Sequence, residues 1–361
     1  MIFGILSDTH DDKAVALPHV MKQFKERKVT HIIHCGDIEA QDLDPDRFLG
    51  LPVVCALNAE QIDKPAFRIP PPNWQFTVPG DRVRDIGHIR CYIGHKRSYE
   101  ILTGSEIQFA RTLDEFRRQH DGLRLAFSGH SHRQVLFNTN NLVTFINPGA
   151  VTDSLDGHEF ATINTDNDEI VFGRIPRTTP IERSFSVGII SDSLKISLMD
   201  VNFWKKLADE FKRRDVSQII HCGNIAEEDI GRKELAGFTV HYYLRENQHR
   251  PNTPLNWHHI CHDEPIVDIG GYQFYIQLDL ARKLLDESEI GMHKHVLSLR
   301  EKYPFVNFLL YGCTHNAFLE EQEIRIINPG DVIRGRCFAV VCLPRAEITF
   351  GQVPTDPLPP L

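Results

Sequence analysis

Ile32-Ile33-His34-Cys35-Gly36-Asp37 returns later in the chain as Ile219-Ile220-His221-Cys222-Gly223-Asn224, with an amide in place of the final carboxylate. A short apolar run ending in glycine reads as a buried strand entering a tight turn. Its surroundings return as well. Gly4-Ile5-Leu6-Ser7-Asp8 is echoed by Gly188-Ile189-Ile190-Ser191-Asp192, and Ser105-Glu106-Ile107 by Ser288-Glu289-Ile290. Ile146-Asn147-Pro148-Gly149 is echoed by Ile327-Asn328-Pro329-Gly330. The four matches are collinear, with offsets of 181 to 187 residues, which marks a tandem duplication.

Helical periodicity agrees. Leu17, Val20, Met21 and Phe24 stand at i, i+3, i+4 and i+7, and Trp204, Leu207, Ala208 and Phe211 repeat that stripe. Both stripes read as core faces. Apolar runs alternating with such helices make each half α/β. The proline-containing stretch 174–185 reads as the joint, giving domains at 1–178 and 184–353 and a flexible, proline-rich tail at 354–361.

A chain of 361 residues suits two domains, and 41% apolar with 25% charged residues is a soluble, globular composition. No run approaches the ~18 apolar residues of a membrane-spanning helix. The net charge of −9 argues against nucleic acid or an anionic membrane as partner. Eight cysteines without a CxxC pair, and an opening that reads as a strand and not a signal peptide, point to reduced thiols in the cytoplasm.

The first half places its polar residues at strand ends. Asp8 and His10 follow an expected strand at 2–6, Asp37 one at 30–35, Asn58 one at 52–57, and His130 and His132 one at 123–128. There α/β sheets gather ligand groups from distant segments. Any one of these residues alone reads as a turn or cap. Together, two carboxylates, an amide and three histidines form a nitrogen and oxygen set suited to manganese, iron or zinc.

Ser7-Asp8-Thr9-His10, His34-Cys35-Gly36-Asp37-Ile38, Asn58 and Ser128-Gly129-His130-Ser131-His132 resemble the calcineurin-like metallophosphoesterase superfamily. The Ile146–Val151 segment is most similar to its small bacterial and archaeal phosphodiesterase branch, which includes the retromer scaffold subunit. The resemblance implies two tandem metallophosphoesterase-like domains, each a two-sheet β-sandwich flanked by helices (αββα). It implies one or two divalent ions per chain, manganese first, with iron, zinc, nickel or magnesium as alternatives. Asp8, His10, Asp37 and His132 would hold the first ion, with Asp37 bridging, and Asn58 and His130 the second. Two such ions about 3.5–4 Å apart activate a water and clamp phosphoryl oxygens. The expected activity is hydrolysis of a small phosphorylated substrate, a diester rather than a monoester.

Three departures from the family pattern stand out. The family's His-Gly-His is here Ile93-Gly94-His95, which removes a ligand of the second ion and leaves His95 as the candidate for reaching the site or holding phosphate. Ala59 stands where relatives with histidine keep a leaving-group acid, and Glu60 replaces an aspartate. In the second copy Leu194, Asn224 and Arg245 replace His10, Asp37 and Asn58, and Gly312-Cys313-Thr314-His315 keeps one of two histidines. That copy is expected to be metal-free, with Arg245 neutralising Asp192, and to serve as an inactive partner in an intramolecular pseudo-dimer that could associate further. The alternative is a non-catalytic scaffold of the same fold; a nuclease is disfavoured by the acidic charge. His34 and His221, kept in both copies, read as structural, and the His258, His259 and His262 cluster matches no zinc spacing. The proline-studded stretch 61–81 reads as an irregular lid or insertion.

Overall fold

One element order occurs twice. The computed structural model describes residues 1–10, 16–96, 106–138, 143–152, 157–176, 184–194, 196, 200, 202–244, 253–278, 280, 289–314, 316–321, 324–332 and 335–355. The first repeat runs β1 (Ile2–Leu6), α1 (Ala16–Glu26), β2 (His31–His34), β3 (Val53–Ala56), α2 (Ala59–Ile62), β4 (Trp74–Thr77) and β5 (Val83–Ile86). It continues with β6 (Ile89–Ile93), α3 (Glu106–Gln119), β7 (Leu123–Phe127), β8 (Gln134–Asn138), β9 (Thr144–Pro148), β10 (His158–Asn164) and β11 (Glu169–Ile175). The second repeat runs β12 (Phe185–Ile190), α4 (Phe203–Arg213), β13 (Val216–His221), β14 (Thr239–Tyr242), β15 (Trp257–His259), β16 (Ile266–Ile269) and β17 (Tyr272–Ile276). It ends with α5 (Glu289–Lys302), β18 (Val306–Leu310), β19 (Ala317–Glu321), β20 (Arg325–Pro329), β21 (Cys337–Leu343) and β22 (Glu347–Gln352).

The apolar stripes of α1 and α4 are buried as expected. Each lies so close to its strand that only glycine fits beneath an aromatic ring. A Cβ on Gly4 would come within 2.6 Å of the Phe24 ring, and one on Gly188 within 2.8 Å of Phe211. The stretch expected to be irregular, 61–81, instead contains edge strand β4, paired in parallel with β3. Four residues between prolines carry too little pattern to read as a strand. Of the joint, residues 177–183 lie outside the described residues, as do 356–361 of the tail.

The first repeat lays β11-β10-β1-β2-β3-β4 in one sheet and β8-β9-β7-β6-β5 in another; the second lays their counterparts in the same orders. The two repeats join edge to edge in both layers. β11 pairs antiparallel with β22 (Val171 opposite Thr349), and β8 with β19 (Leu136 opposite Leu319), so the sheets run on as one of twelve strands and one of ten. Like therefore pairs with like, the rule of a two-fold interface. Ion pairs repeat the symmetry: Arg27 of the first repeat meets Glu347, and its counterpart Arg214 meets Glu169. The same two arginines stack on Phe160 and Phe338.

Between the sheets lies one core that crosses the junction, containing Phe3, Ile5, Phe127 and Phe172 of the first repeat and Val187, Phe274, Phe308 and Phe350 of the second. Separate clusters fill the space under the helices on the outer faces. Such a shared core makes unfolding of the two repeats cooperative. Phe172, buried and edge-on to Phe350, is the place to test it. Phe172→Ala is expected to cost about 3–5 kcal/mol and to move a single unfolding transition. Two separate transitions in urea, with one unmoved, would contradict a common core.

Candidate metal centre

Asp8 leaves β1, Asp37 follows β2 and its turn, and His130 and His132 follow β7. All four adopt left-handed backbone, with φ of 55°, 59°, 71° and 54°. For residues other than glycine this costs of order 1–3 kcal/mol each, and it persists only where surroundings enforce it. Here the backbone does so: Asp8 N donates to Gly36 O at 3.0 Å, Thr9 N to Asp37 O at 3.1 Å, and Gly129 N to His95 O at 3.2 Å. Buried Asn147 secures the last loop, its Nδ2 donating to Gly129 O and Ser131 Oγ while Oδ1 accepts from Gly149 N. Gly129 admits no side chain, since a Cβ there would lie 1.9 Å from Ser7 Oγ.

Asp8 is fully buried. Its Oδ2 accepts a hydrogen bond from His130 N at 3.1 Å. Among the described residues Oδ1 has no hydrogen bond, with His132 Nε2 at 3.3 Å and His95 Nε2 at 3.9 Å. Burial pushes the Asp8 carboxyl upward, but His132 and His95 outweigh it and hold the group below its ordinary range. Asp37 Oδ2 lies 3.5 Å from His10 Nε2. Ligand atoms thus converge in two groups, Asp8 with His10 and His132, and Asp8 with Asp37 and His95, each set within 4.8 Å of one another. Both carboxylates lie between the groups, Asp8 as a common member and Asp37 through His10.

Of the remaining expected residues, His130 lies in neither group, though its ring centroid is 4.9 Å from that of His95. Asn58 opens α2, and its N donates to Gln61 Oε1 at 2.8 Å while Gln61 Nε2 donates to Ile38 O. Among the described residues the buried Asn58 Oδ1 has no hydrogen bond. Ile93 is packed in the core between the sheets. His95, almost wholly buried, donates from Nδ1 to Cys35 O at 3.0 Å, since a carbonyl only accepts; Nδ1 carries the proton, and in the neutral ring Nε2 carries none. Burial holds the His95 pKa below its ordinary value.

Asn147 and Gln61 were not among the expected site residues. For Asn147 a signal existed: Asn328 makes the same bonds in the second repeat, to Thr314 Oγ1 and from Gly330 N.

That repeat keeps the backbone and changes the chemistry. Asp192, Asn224 and Cys313 retain left-handed φ of 58°, 60° and 70°. Asp192 Oδ2 accepts from Cys313 N and Ser191 Oγ, and Oδ1 accepts from Asn224 Nδ2 at 3.0 Å. Both oxygens are satisfied by neutral donors. Arg245 and His315 lie outside the described residues, so the expected Asp192–Arg245 contact does too; Asn224 is the group that meets Asp192. Around His258, His259 and His262, no converging ligand group forms among the described residues.

Residues 1–168 match the family model of the calcineurin-like phosphoesterase superfamily domain. The first repeat is thus similar to a calcineurin-like phosphoesterase domain over nearly its whole length. No curated protein matches the chain. Among solved structures, a novel archaeal phosphodiesterase is 20% identical over 48% of this chain and 100% of its own, with a TM-score of 0.38. Yfce, a phosphoesterase from E. coli, is 14% identical over 49% of this chain and 93% of its own, at 0.32. Vps29 of Entamoeba histolytica is 19% identical over 48% and 91%, at 0.33. Among the described residues, no helix is long and apolar enough to cross a membrane.

Beneath the phosphoesterase loops sits a matched pair of histidines. His34 Nδ1 accepts from Gly36 N and Nε2 donates to Thr9 Oγ1; His221 does the same with Gly223 N and Ser193 Oγ. Each ring is therefore neutral and structural, as its retention in both repeats implied. Burial pushes them down to about 3 and about 4. Below the ordinary value of 6.5 the unfolded chain takes up protons that the folded rings refuse, so stability falls with pH. The loss approaches about 1.4 kcal/mol per pH unit per histidine, until the folded pKa is reached. In chelator, His221→Asn should lower stability at pH 7 yet lose less of it than the parent between pH 6.5 and 4.5. Equal acid sensitivity in urea titrations would refute this.

Proposed function

We propose that the first repeat is a metal-dependent phosphoesterase acting on phosphodiesters in preference to monoesters, and that the second is its inactive structural partner. The observation that carries this reading is the pair of ligand groups meeting at Asp8, a buried carboxylate whose Oδ1 has no hydrogen bond among the described residues. A buried charge so placed favours a compensating cation. Asn58 Oδ1, with no hydrogen bond among the described residues, adds a second buried oxygen of the kind a hard or borderline cation takes. The donor set therefore fits divalent metal, with manganese the first choice.

Asp8, His10, Asp37, Asn58, His130 and His132 would hold the ions. When bound, they supply Lewis acidity toward the phosphoryl oxygens and an acidified water as nucleophile. The chain's own part is to keep the donors in place. The cross-strand bonds and Asn147 fix the loops, and Gln61 fixes Asn58 through its backbone. Ala59 offers no proton to a departing alkoxide, so the reading favours esters with a stable leaving group, such as aryl or nucleoside-type diesters. The scaffold alternative gains nothing from a buried carboxylate oxygen that has no hydrogen bond among the described residues. For the second repeat, the satisfied oxygens of Asp192 support inactivity.

The test is hydrolysis of bis(p-nitrophenyl) phosphate by metal-stripped protein resupplied with Mn²⁺. Turnover is expected with Mn²⁺ and absent in chelator. Asp37→Asn, which copies Asn224, should lower kcat/KM by about 100-fold or more, a loss on the scale of removing a transition-state contact. Absence of turnover with every divalent metal, or equal turnover by Asp37→Asn, would defeat the enzymatic reading.

A further inference from the structure

A duplicated chain in which one copy has lost its site separates residues that shape the loops from residues that do chemistry at their ends. Where the repeats agree, the local contacts largely agree. His34 and His221, and Asn147 and Asn328, make matching hydrogen bonds, and Ser7 and Ser191 pack alike against Gly129 and Gly312. Where they differ, the first repeat has a metal donor and the second does not: His10 against Leu194, Asp37 against Asn224, His130 against Cys313.

His95 falls in the second class. Its counterpart is Leu278, and the two side chains take the same place: a Cβ on Gly36 would meet His95 at 2.8 Å, and one on Gly223 would meet Leu278 at 2.9 Å. The fold is therefore equally served there by a hydrocarbon, which makes no bond to the Cys222 carbonyl. A buried imidazole where leucine suffices carries a desolvation cost that packing does not explain.

Resting on the metal reading above, we infer that His95 is a metal ligand, supplying through Nε2 the histidine donor that Ile93 cannot. Period-two alternation puts residue 95 on the same face as 93, one step beyond the end of β6 and nearer the loops of Asp8 and Asp37. Its donor atom converges with those two carboxylates within 4.8 Å. The hydrogen bond from Nδ1 to Cys35 O orients the ring, an arrangement usual for metal-bound histidines. The ligand is thus shifted two residues along the chain, and the second ion retains a nitrogen donor of the class that borderline divalent metals prefer.

The experiment is Mn²⁺ titration of the full-length, metal-stripped protein, followed calorimetrically and by electron paramagnetic resonance. The parent, His95→Leu (the Leu278 arrangement) and His95→Gln are compared, and folding is verified by circular dichroism. The parent should bind two Mn²⁺ per chain and give a spin-coupled signal. Both variants should remain folded, weaken one Mn²⁺ by at least about 100-fold, beyond the loss typical of a merely orienting partner, and lose the coupled signal. Unchanged Mn²⁺ affinity at every site in folded His95→Leu would overturn the assignment while leaving the phosphoesterase reading intact. A parent that binds no Mn²⁺ would remove both.

Discussion

The molecule depends on the pairing of equivalent strand edges. β11 finds β22 and β8 finds β19, antiparallel in each case, so two sheets that would otherwise end in open edges continue into each other. An exposed edge is a row of unpaired backbone donors and acceptors. Closing two of them at once, with reciprocal Arg27–Glu347 and Arg214–Glu169 pairs, creates a junction built like a homodimer's but within one chain. The inner core then has no internal boundary. This ties the second repeat's persistence to packing, whatever side chains stand at its loop ends.

The contrast between the repeats shows how much of the centre is architecture. Asp192, Asn224 and Cys313 hold the same strained backbone as Asp8, Asp37 and His130. Strain at such positions is commonly read as a sign of function, yet here it survives without the donor set, because neighbouring strands impose it through main-chain bonds. What differs is a few side-chain termini. Replacing the Asp37 carboxylate with the Asn224 amide turns an acceptor into a donor, and that donor satisfies the buried aspartate beside it.

Much of this was legible in the sequence because it rests on local pattern. The strands at 2–6, 30–35, 52–57 and 123–128 matched observed strands to within a residue at each end, and the two helical stripes were buried. The structural role of His34 was readable from its repetition at His221. β4 was not readable, since Trp74–Thr77 is brief and enclosed by prolines. The mode of joining was hidden for another reason: nothing in a strand's alternation names the edge it will meet. His95 was singled out, but its approach to Asp8 depends on two loops meeting through Cys35, sixty residues away.

The reciprocal arginine–glutamate pairs carry a further consequence. In a dimer of separate chains, such contacts compete with dissociation at low concentration, and any sequence change is imposed on both partners. A covalent link replaces association by an intramolecular encounter at high effective concentration, so the arrangement survives dilution. It also frees the two faces to diverge independently.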